Sequence, residues 1–186
     1  MRHSLISLLA ITLLFLNCKK AKQNPFEISK QHIGLLTDST QVKDLKTIFE
    51  KDSVVKFIGG DEFIGNINTI DIYEKGGKKL LSLTPKQALD STSTIESIHI
   101  LDDRYKTATN ISMLSTFKDI TSQYKVSKIN NLINSVVIKV NELNASFAID
   151  KEELPANIRY DMNLKIEAIH IPDDAKLKYF FIHWNN

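Results

Sequence analysis

The nine residues Ile95–Asp103, IESIHILDD, return almost unchanged as IEAIHIPDD at Ile166–Asp174, with seven of nine letters coinciding at a spacing of 71. A self-match of that length points to a duplicated supersecondary unit, because each copy of a short pattern must find the same kind of partners. The neighbours of the two copies agree. Upstream of the first, TDSTQVKDLKTIF puts Val42, Leu45, Ile48 and Phe49 on one helical face, with Asp38 as N-cap and Gln41 three residues on. Upstream of the second, LSTFKDITSQY repeats the theme, with Ser115 as cap and Phe117, Ile120 and Tyr124 along the stripe. Both segments carry a Lys-Asp pair, Lys43-Asp44 and Lys118-Asp119.

Between each helix and its copy of the repeated strand lies a hairpin. TIDIYEKGGKKLLSL, Thr69 to Leu83, breaks two β-rich runs at Gly76-Gly77, and SVVIKVNELNASFAI, Ser135 to Ile149, does so at Asn141 and Asn144. A further turn is expected at Gly59-Gly60-Asp61, between VVKFI and EFIGNI, where glycine supplies positive φ without a steric penalty. KLKYFFIHW, Lys176 to Trp184, supplies a last strand. The expected fold class is therefore α+β. Two tandem helix-plus-antiparallel-strand units, 32–106 and 107–186, would form a sheet with helices on one face and the other face open.

Ahead of these units, Met1-Arg2-His3 and the apolar run Leu5–Leu16 form a secretory signal, too short to span a bilayer as a permanent helix. Residues 1–17 are expected to be removed, and 18–31 to be an N-terminal cysteine with a flexible basic tether, KKAKQNP. With one cysteine there is no internal disulfide. The placement of Cys18 after Leu14-Phe15-Leu16-Asn17 resembles the lipobox of bacterial lipoproteins. That resemblance implies a lipid anchor on Cys18 and a place in the cell envelope. The absence of aspartate after the cysteine, where Lys19 stands, is compatible with the outer membrane, facing periplasm or surface. The formal net charge of +2 offers no footprint for nucleic acid.

The element order, and the stretch IGLLTDSTQVKDL from Ile33 to Leu45 in particular, resembles two groups of secreted bacterial proteins. These are the SmpA/OmlA-type outer-membrane lipoproteins and the β-lactamase inhibitory protein, which sets two such units in tandem. The resemblance implies a non-enzymatic module that binds an envelope protein partner.

Gly59 to Phe63 spells GGDEF, the signature of diguanylate cyclases. In those enzymes the glycines bring backbone close to nucleotide and the acids hold metal, but upstream residues complete the site. Between Cys18 and Ile58 this chain has the tether, one expected helix and no Asp-x-Asp-Phe-Lys-like segment, and export would separate it from GTP. The match is read as coincidental.

His99 and His170 hold the same place in the repeated stretch, followed by Asp102-Asp103 and Asp173-Asp174. Alternation along a strand sets each imidazole opposite its flanking isoleucines, on the open face. Imidazole and carboxylate suit divalent ions, so a metal or small-ligand carrier is the alternative function, and an envelope hydrolase without a recognisable motif is a third. The plainer reading is a copied surface strand. No Gly-x-Ser-x-Gly, His-Glu-x-x-His, Walker or Cys-x-x-Cys pattern occurs, so no catalytic residue and no cofactor is assigned. Tyr73, Tyr105, Tyr160, Tyr179 and Trp184 could populate an interface. In YFFIHW, either Phe180, Ile182 and Trp184 or Tyr179, Phe181 and His183 face inward; periodicity does not choose. The leading expectation is a lipid-anchored, non-enzymatic envelope protein offering its helix-free sheet face to a protein partner, with no oligomeric state specified.

Overall fold

The computed structural model describes residues 24–61 and 65–184. Short strands come first: β1 (Glu27–Ile28), β2 (His32–Ile33) and β3 (Leu36–Thr37). Then follow β4 (Ser53–Asp61), β5 (Gly65–Tyr73), β6 (Lys79–Pro85), β7 (Ile95–Ile100) and β8 (Lys106–Thr107). The second half adds β9 (Val126–Asn131), β10 (Ser135–Val140), β11 (Ala145–Asp150) and β12 (Leu177–His183). A small sheet has the order β3-β2-β1-β8, and a large one the order β4-β5-β6-β7-β12-β11-β10-β9.

All neighbours in the large sheet are antiparallel, so it consists of two four-stranded meanders whose last strands, β7 and β12, meet in the middle. At that seam Ile98 faces Ile182 and Ile100 faces Phe180, all fully buried. The β5–β6 turn falls at Gly76 (φ 122°) and Gly77 (φ 95°), and Asn144 takes φ 53° between β10 and β11, so both expected turn sites hold the residues that tolerate the left-handed region.

The α+β expectation is overturned. Strand makes up 41% of the described residues and helix 13%, and the described helices do not form a layer on the sheet. The first expected helix shrinks to a 3-10 turn, Val42–Asp44, and one α-turn, Leu45–Ile48, while the second is the seven-residue helix Phe117–Gln123. A helix of one or two turns does not sustain itself, because the first hydrogen-bonded turn fixes several residues for little return. Tertiary contacts hold both segments instead. The Val42 and Lys43 N–H groups donate to the Ser93 and Ser91 carbonyls at 3.0 and 2.8 Å, and those of Phe117 and Lys118 to Ala175 and Asp173 at 2.9 Å each. The second helix has its cap one residue later than expected. Thr116, not Ser115, forms a capping box with Asp119, its N–H donating to Asp119 Oδ2 at 2.8 Å while the Asp119 N–H donates to Thr116 Oγ1 at 3.3 Å.

Much of the covering the helices were expected to provide comes from the small sheet. Ile28, Ile33 and Leu36 join Leu45, Ile120, Ile70, Leu81, Phe147 and Phe180 in one buried cluster. Part of the stretch expected as a tether belongs to the fold, since Ile28 is a core residue and Glu27–Ile28 pairs with both β2 and β8.

The repeated nine residues do not occupy equivalent places. The first copy supplies β7; the second is a loop with a 3-10 turn at Ala168–His170, and its Ile169 is 87% exposed. Pro172, where the first copy has Leu101, cannot donate to a ladder. The strand that matches β7 is β12. The residue before each bridges the residue before a helical segment, Thr94 to Gln41 and Lys176 to Thr116. β12 buries Phe180 and Ile182 completely, which the second copy could not match with its exposed Ile169.

The expected turn at Gly59-Gly60-Asp61 is displaced. These residues continue β4, with Gly60 opposite Asn66 and Asp61 opposite Gly65, so the connection is 62–64. Glu62 and Phe63, the end of the GGDEF match, lie outside the described residues, as does Cys18.

Candidate functional site

Strand alternation at the β7–β12 seam sends Ile98, Ile100, Phe180 and Ile182 into the core and Ser97, His99, Tyr179, Phe181 and His183 to the other side. The choice that periodicity left open in YFFIHW is thus made. Phe180, Ile182 and Trp184 go inward, and the Trp184 indole donates to the Lys30 carbonyl at 2.9 Å.

The outward residues form a strip. The His99 ring stacks on Phe181 with centroids 4.4 Å apart at 20°, and meets Tyr179 edge-on at 5.4 Å and 76°. Phe181 in turn lies parallel to His183 at 6.3 Å. Small residues flank the rings, Ser146 and Ala148 on β11 opposite Phe181 and Tyr179, and Ser82 on β6 opposite His99. His183 hydrogen-bonds Ser146 Oγ through Nε2 and Ser97 Oγ through Nδ1, the latter at 3.4 Å. Toward β5, the Ser82 hydroxyl donates to Asp71 at 2.6 Å and Lys79 pairs with the same carboxylate at 2.6 Å. The result is an aromatic and imidazole centre with a hydroxyl margin and one ion pair, a composition found at protein-binding surfaces.

His99 Nε2 is buried and has no hydrogen-bond partner among the described residues. Burial first, then the positive charge of Lys79, pushes its pKa down to about 4, with Asp71 opposing in part. The folded state therefore favours neutral imidazole, while the unfolded chain protonates near 6.5. Stability from this residue is complete above the unfolded value and is lost as pH falls toward the folded one. Urea midpoints should decline between about pH 6.5 and 4, and His99→Phe, which keeps the stack on Phe181, should flatten that decline. An equally steep decline in the variant would remove His99 as its source.

The other expected ligands lie elsewhere. His170 ends the 3-10 turn and its Nδ1 accepts the Glu167 N–H at 3.0 Å. Asp102 is fully buried against Arg104 and Lys78, Asp103 pairs with Lys78 at 3.3 Å, Asp173 pairs with Lys118 at 2.7 Å, and Asp174 is exposed. No group of three or more His, Cys, Asp or Glu able to hold a metal forms among the described residues. Of the aromatic candidates, Tyr179 is 40% exposed on the strip, Tyr160 is exposed on a loop, and Tyr105 and Trp184 are core residues. Ser146, Ala148, Ser82 and Ser97, which lie beside the rings, escape a sequence reading; strand alternation is the signal for Ser97 and Ser82, but their neighbours depend on pairing across strands distant in sequence.

The architecture defines a class: a β-rich protein built on one eight-stranded antiparallel sheet with a small second sheet over part of its core. Within it, the chain is similar to a solved structure, the uncharacterized protein yfeY from Escherichia coli. The TM-score is 0.57 at 16% identity, over 84% of this chain and 99% of that one. At that identity the likeness is one of fold alone. No family model and no curated protein matches the sequence. No described helix is long and apolar enough to cross a membrane.

Proposed function

We propose that the protein is a lipid-anchored cell-envelope protein that acts as a non-enzymatic binding module, taking a protein partner on the open face of its large sheet. The observation that carries this reading is the Tyr179–His99–Phe181–His183 strip at the seam of the two meanders. Aromatic side chains held by strand pairing lose little freedom on binding, and rigid anchors of this kind dominate interface energetics. The leader Leu5–Leu16 and Cys18 support delivery to the envelope and an acyl anchor there.

The two parts of the reading are tested separately. Intact mass and membrane fractionation of the native protein beside Cys18→Ala should show an acylated chain beginning at Cys18 and a soluble variant; an unprocessed chain in both would end the anchoring claim. A photo-crosslinker at Tyr179 in envelopes should give one saturable adduct, lost with Phe181→Glu, while the same probe at the exposed loop residue Ile169 should not. Equal labelling from both positions, or labelling indifferent to Phe181→Glu, would refute the sheet face as the docking surface.

A further inference from the structure

A groove of about 840 Å³ opens between the small sheet, the end of the first helical turn and the β5–β6 turn. Its apolar lining is Phe26, Leu35, Phe49 and Leu80, with Tyr105 beside Phe26 in edge-to-face contact at 5.1 Å. A cation lies against one of these lining side chains. The Arg104 guanidinium lies 4.6 Å from the centre of the Phe26 ring, donating to Asp102 and, at 2.8 Å, to Glu74.

That pairing engages Arg104 with Asp102 and Glu74, and a further acid feels it only at longer range. Asp52 also lines the groove, and its carboxylate makes no hydrogen bond or ion pair with a described residue. Burial, followed by the nearby charge of Glu74, raises its pKa, with Arg104 opposing in part. The Tyr105 hydroxyl likewise makes no hydrogen bond with a described residue. Glu50, Lys51 and Lys75 stand exposed at the rim, where solvent screens them.

We propose that this groove is a binding site for an organic cation with an apolar body, its primary ammonium on the Asp52 carboxylate and its hydrocarbon against Phe26, Phe49 and Leu80. An anion would meet the Asp52 carboxylate, of its own sign, while Glu74 is already paired with Arg104. A neutral apolar molecule would strip water from the Asp52 carboxylate without replacing its hydrogen bonds. A divalent metal lacks a third ligand among the described residues, and Arg104 stands beside the site. An alkylammonium meets both demands, supplying a charge-assisted donor to Asp52 and methylenes to the ring faces.

The test uses the full chain and n-hexylammonium, with hexanol and hexanoate as isosteric controls, followed by amide NMR and calorimetry. Saturable shifts are expected around Phe49–Asp52, Glu74 and Tyr105, with hexanol and hexanoate weaker by about tenfold or more, the difference a charged hydrogen bond makes. Asp52→Asn, at a partly exposed position, should weaken hexylammonium by about tenfold and leave hexanol unchanged. Equal affinity for the three probes, shifts mapping away from the groove, no saturation in the millimolar range, or an Asp52→Asn variant that binds as well as the parent would each overturn the assignment.

Discussion

Replacing Asp102 with alanine is expected to lower folding stability by about 1.5–3 kcal/mol, the range for hydrogen bonds to a charged group, because the cations left behind, Arg104 and Lys78, are 38% and 54% exposed and stay solvated. The side chain is fully buried just beyond β7. Arg104 approaches it with three donors, the backbone N–H and Nε on Oδ1 at 2.9 Å each and Nη2 on Oδ2 at 2.8 Å, and Lys78 adds a contact at 2.9 Å. Through Arg104 Nη1 the network reaches Glu74, so one carboxylate fastens the end of the central strand to the β5–β6 turn. Burial alone would raise the Asp102 pKa, but the Arg104 donors and Lys78 outweigh it and hold the carboxyl well below the usual range. A depressed carboxylate contributes stability that is complete above its unfolded value, near pH 4, and lost as pH falls through its folded one. The gap in urea midpoint between the parent and Asp102→Asn should therefore be constant near neutrality and narrow below about pH 4. An alanine variant with an unchanged midpoint would show that the network is ornamental. A sequence reading takes Asp102 for a ligand because an acid two residues past a histidine strand looks available; only the fold shows it saturated by cations.

Gly34→Ala is the second large effect, expected at about 2–5 kcal/mol from two separable sources. Gly34 sits between β2 and β3 at φ +55°, where an L side chain adds roughly 1–2 kcal/mol. A Cβ there would also stand 2.1 Å from the Pro25 carbonyl oxygen and 3.4 Å from the Tyr105 ring. The nearer atom is backbone, so the clash is relieved only by moving the start of the fold, and overpacking of this kind adds about 1–3 kcal/mol. Gly77→Ala shows a backbone cost without a clash, since no described atom lies within 4 Å of an added Cβ, although φ +95° lies outside the left-handed well that holds Gly34. Thermal melts decide the matter. If Gly34→Ala loses no more than the roughly 1–2 kcal/mol of its own backbone cost, the close approach to Pro25 carries no energy.

Local chemistry made part of this molecule legible. Gly76-Gly77 and Asn144 mark hairpins because few residues take their dihedrals, and SVVIKV and KLKYFFIHW read as strands because β-branched and aromatic residues alternate there. The face carrying His99 followed from the same alternation. The cap of the second helix was placed within one residue, the usual slack of a boundary set by side chains of similar chemistry, whereas the cap expected at Asp38 does not form: Gln41 precedes the first helical turn and makes no side-chain cap bond. The helices were overstated for a definite reason. Val42, Leu45, Phe117 and Ile120 do have helical spacing and are buried, but spacing says which side of a turn is apolar and not how many turns the chain makes. His170 lies in a 3-10 turn and not in the expected strand, because nine similar letters do not specify which strand edge they pair with.

What the amino-acid sequence determined by itself was the period of each strand, the points where the chain reverses, and the residue types available to each face. These depend on dihedral preference and side-chain branching within a few residues. The tertiary structure alone decided that β12 and not Ile166–Asp174 pairs with β7, that Phe181 lies on His99, and that Asp102 ends under Arg104 and Lys78. Each of those contacts involves competition between segments for the same strand edge or the same charge. The winner is the arrangement that buries the most apolar surface with every backbone donor answered, a sum over the whole chain that no local window contains.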